Sequence, residues 1–344
     1  MSDSEGGKTP ISNFGKFGLI EHLTKNIVPK NKSTVLGTGD DSAVVENGSY
    51  LTLVSTDLLL EGIHFNLTYT PFKHLGYKAV IRGISDIYAM NGTPEQILIS
   101  LGISARFNIQ QLEELYEGIS QASEKYGIDI TGGDTTSSLT GLTIGVTALG
   151  KAVKNKVVKR DGAKPNDLIC VTGDFGASFM GLQLLSREGK LLRADKDFKP
   201  DFSGFEYAIE RQLKPEFPSG TIIELSEKGL LPTSMIDVSD GLASDLLHVC
   251  KSSNTGCRIH SEKIPIDQET CRLAEEFNID PVTAALNGGE DYELLFTVSL
   301  ENYEKIKEIQ SIKIIGHMTN PEMGKYLVTP AGAETELNAL GWIG

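Results

Sequence analysis

Gly37-Thr38-Gly39-Asp40-Asp41-Ser42-Ala43-Val44 sets two glycines and two adjacent acids ahead of an apolar step. Glycine lets the backbone turn sharply and approach a ligand closely. Adjacent carboxylates repel, so a fold that keeps them together must offer water, donors or a cation. Alone, the stretch reads as a polar turn before a strand, because turns favour Gly and Asp. Three stretches downstream shift that balance: Ser55-Thr56-Asp57, Gly132-Gly133-Asp134-Thr135-Thr136 and Asp237-Val238-Ser239-Asp240-Gly241. Each puts Asp beside Gly, Ser or Thr just after a β-like run.

Working outward, apolar spacing predicts helices over Phe14–Ile27, Phe72–Ala89, Ile109–Tyr126, Ala177–Arg187, Gly220–Gly229, Leu242–Cys250, Gln268–Phe277 and Asn302–Ile309. Strands are expected at Leu51–Val54, Gln96–Ile103, Ile128–Ile130, Leu142–Leu149, Asp167–Thr172, Ser234–Val238, Gly256–His260, Leu295–Val298 and Lys313–Gly316. Leu58–Asn66, with His64, reads as a loop, and charged Lys190–Gly204 as a mobile one. Asp86 falls between Ile84, Ile87 and Met90 in an otherwise core-like helix. The basic run from Lys151 to Lys164 marks a boundary between residues 1–150 and 151–344. Both halves mix strands and helices, so the class is α/β of the α+β type with two domains. Both also carry glycine-acid turns, Asn287-Gly288-Gly289-Glu290-Asp291-Tyr292-Glu293-Leu294 being another.

The 344 residues suffice for two domains. A composition of 40% hydrophobic and 23% charged residues is globular, and 36 glycines imply many tight or ligand-facing turns. The net charge of −14 argues against nucleic acid or an anionic membrane as partner. Cys170, Cys250, Cys257 and Cys271 lack metal-site spacing, and a reduced, cytoplasmic setting is expected. Met1–Thr9 has no apolar core for a signal peptide, and no run is long enough for a membrane helix. Gly6-Gly7-Lys8-Thr9 imitates the end of a phosphate loop, but no strand precedes it.

Carboxylates flanked by Gly, Ser and Thr are hard oxygen ligands suited to magnesium, which shares its shell with substrate phosphates. Glycine turns at helix starts add N–H groups aimed at phosphate. Bare acids would repel ATP; with several divalent ions they become a phosphate cradle. The chain lacks Gly-x-Ser-x-Gly and a convincing Cys/His pair, and among its six histidines only His64 adjoins an acidic motif. Phosphoryl transfer tolerates the lack of a base, since positioning and charge neutralisation do most of the work.

Gly39-Asp40-Asp41-Ser42-Ala43, Ser55-Thr56-Asp57, Gly62-Ile63-His64-Phe65, Lys78-Ala79 with Ser85-Asp86, Gly132-Gly133-Asp134-Thr135-Thr136, Arg160-Asp161-Gly162-Ala163-Lys164-Pro165, Asp237-Val238-Ser239-Asp240-Gly241 and Gly288-Gly289-Glu290-Asp291-Tyr292-Glu293-Leu294 follow one another in that order. The set, spanning Phe14 to Trp342, resembles the thiamine-monophosphate kinase family. The resemblance implies a fold shared with aminoimidazole ribonucleotide synthetase and selenophosphate synthetase. There an N-terminal domain joins its twofold mate in a β-barrel, and a C-terminal α/β domain packs against it. It implies a homodimer, and transfer of phosphate from ATP to thiamine monophosphate. It further implies Mg²⁺ ligation by Asp41, Ser55, Thr56, Asp57, Asp86, Asp134, Asp237 and Asp240. Nucleotide contacts would come from Gly133, Asp134, Arg160 and Ser239, with Arg160 also adding positive charge at the transition state. Acceptor contacts would come from His64, Glu290 and Trp342. Two rivals remain: another ATP-dependent phosphotransferase or synthetase of this fold, or a non-catalytic acidic metal-binding module. No Cys precedes Cys170 and the chain ends in Trp-Ile-Gly, unlike the selenium and hydrogenase-maturation relatives. Ligands dispersed over some 200 residues also suit a cleft better than a local loop.

Overall fold

The computed structural model describes residues 10, 11, 14–195 and 197–339. Two sheets carry the chain. The first holds β1 (Thr34–Leu36), β2 (Ala43–Asn47), β3 (Tyr50–Leu60), β4 (Thr93–Ile103), β5 (Asp129–Ser137) and β6 (Thr143–Ala152), in the order β1-β2-β3-β6-β4-β5. Only β4 and β5 run parallel. The second holds β7 (Leu168–Thr172), β8 (Ser234–Val238), β9 (Gly256–His260), β10 (Glu293–Val298), β11 (Ile312–Thr319), β12 (Lys325–Val328) and β13 (Glu334–Glu336), ordered β13-β12-β9-β11-β7-β10-β8. Mixed α/β architecture follows from the two alternating periodicities in the sequence.

Helix α1 (Gly15–Thr24) precedes the first sheet, and α2 (Phe72–Ala89) and α3 (Ile109–Tyr126) pack together beside it. Helix α2 is buried nearly all round, as a helix wedged between layers is, and the polar Lys78 and Ser85 are buried with its apolar residues. It touches β3, β4, β6, α3 and, from the second sheet, β8. Glycines permit its close crossing with α3: a Cβ on Gly118 would lie 1.8 Å from the Lys73 carbonyl oxygen, and one on Gly76 would lie 2.0 Å from that of Leu115. Asn108 and Gln111 close a capping box at the start of α3. Helices α4 (Ala177–Ala194), α5 (Glu206–Leu213), α6 (Ser219–Glu227) and α7 (Leu242–Ser253) follow in the second half.

Three expectations need correction. The strand expected to stop before Ser55 continues to Leu60, because β3 pairs with β6 through Leu58↔Gly145, Leu59↔Ile144 and Leu60↔Thr143. The glycine-acid stretch Gly132–Thr136 lies inside strand β5, since β4 supplies backbone partners along it. Helix α4 runs past Arg187 to Ala194, into the segment expected to be a loop, with Arg193 anchored on Asn66 and Thr68. Gly6–Thr9 and Trp342 lie outside the described residues.

Overpacking a close helix crossing destabilises by about 1–3 kcal/mol. Gly118→Ala is expected to lower the unfolding free energy within that range in denaturant melts, against little change for Gly220→Ala, where a Cβ has open space.

Candidate active site

The acids of the first sheet arrive by strand alternation. Ser55 and Asp57 point to the α2 side, where the Ser55 hydroxyl donates to the Gly83 carbonyl (3.1 Å) and Asp57 accepts from Arg82 Nε (3.0 Å). Thr56 takes the opposite face, its hydroxyl 3.1 Å from that of Thr147. Asp41 stands at the entry to β2, 8% exposed, and accepts from Arg160 Nε at 3.1 Å and from its Nη2. Asp86 sits on the last turns of α2. Asp237, next to last in β8, is 3% exposed and accepts from the Ser85 hydroxyl at 2.7 Å.

Asp41, Asp86 and Asp237 each turn one oxygen to a common point, all within 4.8 Å of one another. They floor a cleft of about 580 Å³, whose walls include Asp40, Asp57, Arg82, Arg160, Ser239 and Asp240. Helix α1 covers one side with Ile20, Glu21, Thr24 and Lys25. Asp245 on α7 accepts from the Ser239 and Asp240 backbone N–H groups (3.1 and 3.2 Å) and so shapes their turn. The turn before β10 is stapled alongside, Glu290 N–H donating to the Ser239 carbonyl (2.9 Å) and Tyr292 N–H to that of Val238 (2.9 Å). Glu290 and Tyr292 hold φ near +58° and +53°, a strained region for side-chain-bearing residues.

Burial lifts these acids above the usual carboxylate range. Desolvation pushes Asp41 up to about 6, against the pull of Arg160. Desolvation, with the Asp41 charge, pushes Asp237 up to about 7. Asp86 and Asp245 also rise, from burial first and neighbouring aspartates second. Glu290 goes the other way: burial would raise it, but Lys78, Arg82 and His64 together hold it below. Two oxygens, Asp41 Oδ2 and Asp57 Oδ2, are buried with no hydrogen-bond partner. Orphaned carboxylate oxygens beside other acids, with oxygen donors only, fit a hard divalent ion.

Of the residues singled out from sequence, Asp41, Asp57, Asp86, Asp237, Asp240, Ser239 and Arg160 meet in this one cleft. Ser55 lies one turn of pleat behind Asp57. Glu290 joins through Lys78 (2.8 Å) and Arg82 (3.7 Å), and His64 lies within electrostatic reach of it. Thr56 is directed away, and Gly133 and Asp134 stand apart on the exposed edge strand. The row Asp57–Val146–Ile99–Gly133 crosses four strands. Three strand spacings put Gly133 roughly 14 Å from Asp57. Gly133 hugs β4 so closely that a Cβ would meet the Ile99 carbonyl oxygen at 1.7 Å. Sequence reading missed Arg82 and Asp245 as site residues, while Asp40, read from sequence among the acids of a phosphate cradle, does line the cleft. A basic residue one turn before Asp86 on the same side of α2 was the signal for Arg82; Asp245 carried none beyond its place in the first turn of α7.

The fold and its acid cleft define a class. The pattern for "AIR synthase related protein, N-terminal domain" matches residues 39–152. Thiamine-monophosphate kinase of Bacillus subtilis is 34% identical over 298 residues, 85% of this chain and 86% of that protein. That of Escherichia coli is 35% identical, over 83% of this chain and 82% of the other. The structure described as "AaThiL complexed with AMPPCP and TMP" superposes with a TM-score of 0.81 at 30% identity, covering 97% of this chain and 98% of that one. The chain belongs to the thiamine-monophosphate kinase family. The resemblance read from the eight ordered motifs is thereby borne out.

The crowded acids set a pH dependence in metal-free buffer. Asp41 and Asp237 titrate near 6 and 7 when folded, against 3.8 ordinarily, so the folded chain holds more protons in that interval. Unfolding there releases protons, and the contribution of these groups to stability falls as pH rises from 3.8 to about 7. Asp237→Asn is expected to flatten that fall in denaturant melts with chelator at pH 5 and pH 8.

Proposed function

We propose that the chain transfers the γ-phosphate of ATP to thiamine monophosphate, giving thiamine diphosphate and ADP. The observation that carries this is the convergence of Asp41, Asp86 and Asp237, with orphaned oxygens on Asp41 and Asp57, in a member of this family. AMPPCP, an ATP analogue, and TMP are the ligands named for the structural relative. Asp41, Asp57, Asp86 and Asp237, with Asp240 at the rim, would hold several Mg²⁺ ions. Bound there, Mg²⁺ supplies charge neutralisation for the phosphates and the transition state.

The remaining chemistry belongs to side chains. The acceptor phosphate is itself the nucleophile, so in-line transfer needs no strong base. Arg160 orients Asp41 and presents its partly exposed guanidinium to the cleft, where it meets ATP phosphate. Ser239 sits at the turn shaped by Asp245, placed for the nucleotide. Glu290 and His64 hold the acceptor, joined by Trp342. The family roles of Ser55 and Thr56 remain part of this reading; for Thr56, alternation leaves its carbonyl rather than its hydroxyl.

A homodimer belongs to the same proposal. All nine residues of edge strand β5, Ile130 among them, are exposed, as are Leu58 and Leu60 on β3. An open edge beside exposed apolar residues favours pairing with a second copy. Closing that edge into an intersubunit barrel would enclose Gly133 and Asp134, which then serve the nucleotide phosphates and a metal ion. We divide the chain at residue 150/151 into a dimerising metal- and nucleotide-binding domain and a domain that completes the cleft. No described helix is long and apolar enough to cross a membrane. We place the reaction in the cytoplasm, where four free thiols stay reduced.

ADP release on mixing with ATP, Mg²⁺ and thiamine monophosphate is the direct test; release only with another phosphorylated acceptor would overturn the substrate. Asp86→Asn is expected to lower kcat by about 100-fold or more, since losses even behind a metal shell reach that size. Mg²⁺ should raise Tm more at pH 8 than at pH 5, because ligands near 6 and 7 must shed protons to bind it. Equal shifts at both pH values would remove these two acids from the metal site.

A further inference from the structure

Lys78 and Arg82 stand one turn apart on α2, on its side facing the second sheet. Lys78 is 3% exposed and donates to the Gln212 carbonyl (2.8 Å) and to Glu290 Oε2 (2.8 Å). Arg82 donates from Nε to Asp57 Oδ1 (3.0 Å), and its Nη1 lies 3.7 Å from Glu290 Oε1. One guanidinium therefore spans an acid of β3 and an acid of the turn before β10. Gripping one oxygen of Asp57 leaves the other, Oδ2, buried and unpartnered. A planar, many-donor guanidinium fixes the orientation of two carboxylates at once, which a lysine point charge does not.

We propose that Arg82 is a positioning residue. It turns the free oxygen of Asp57 toward the acid cluster and registers Glu290 against it, so that the metal-holding and acceptor-holding ends keep a fixed separation. The identity of those two ends rests on the kinase reading above; the bridge itself does not.

Three roles for Arg82 separate cleanly. A cation 3.0 Å from a ligand carboxylate opposes a divalent ion by charge alone, so a spectator charge predicts tighter metal binding once removed. A mere strut predicts a lower Tm with metal binding unchanged. Positioning predicts weaker metal binding and weaker acceptor binding together.

The test uses the full chain. Mn²⁺ is titrated into metal-free protein without substrates and followed by electron paramagnetic resonance, and KM for thiamine monophosphate is read from ADP release. In Arg82→Ala the Mn²⁺ dissociation constant and the acceptor KM are each expected to rise about 10-fold, within the range for residues that orient metal ligands. Added guanidinium ion should restore part of both. Arg82→Lys keeps the charge and carries the test if the alanine variant does not fold: it should keep a near-wild-type Tm yet still lose metal affinity. Mn²⁺ binding in Arg82→Lys as tight as wild type or tighter overturns the proposal, as does an unchanged acceptor KM where the wild type turns over. Should the wild type not act on thiamine monophosphate while the Mn²⁺ isotherms still separate as stated, the kinase reading fails and the bridge stands.

Discussion

Mutual repulsion among buried carboxylates dominates this molecule. Asp41, Asp86 and Asp237 bring oxygens within 4.8 Å of one another, with Asp57 adjoining, and the cations on hand are chiefly Arg160 and Arg82. Such a cluster does not assemble by its own attraction. It is imposed by what lies behind it: Ile81, Ile84 and Ile87 on α2, and Val146 and Ala148 on β6, all with no exposed surface. Burying that apolar area supplies the driving force that ion repulsion subtracts from. Burial first, and the neighbouring aspartates second, raise Asp41 and Asp237 and so favour proton uptake, and a divalent ion would offset the same penalty without the proton.

Helix α2 is the hinge of the arrangement. It packs on the first sheet, crosses α3 through two glycines, and reaches β8 of the second sheet. Ser85 then bonds Asp237, Lys78 bonds Glu290, and Arg82 joins Asp57 to Glu290, so one helix face ties residues more than a hundred positions apart. The strained backbone at Glu290 and Tyr292 is tolerated because the Ser239 and Val238 carbonyls staple that turn in place. Local strain therefore sits where the two halves exchange contacts, and it aims Glu290 rather than loosening it.

Most elements were legible in the sequence because amphipathic periodicity is local. Helices α2 and α3 and strands β8 and β9 run as read. The misreadings share one cause. Gly132–Thr136 and Ser55–Leu60 look like turn and loop by propensity, but a neighbouring strand offers hydrogen bonds along their whole length, and pairing overrides propensity. Likewise Arg193, held by Asn66 and Thr68, lengthens α4 through a tertiary contact.

Periodicity settled, from sequence alone, a mixed α/β class, and the order and chemistry of the glycine-acid stretches settled a family resemblance and a roster of acids, because residue type and spacing carry that information. Which acids meet was another matter. Alternation along β3 sends Thr56 away from Asp57, three strand spacings separate Gly133 from it, and Arg82 and Asp245 enter as partners. Those outcomes depend on strand order and on which face a side chain takes, and both are fixed only when distant segments pack.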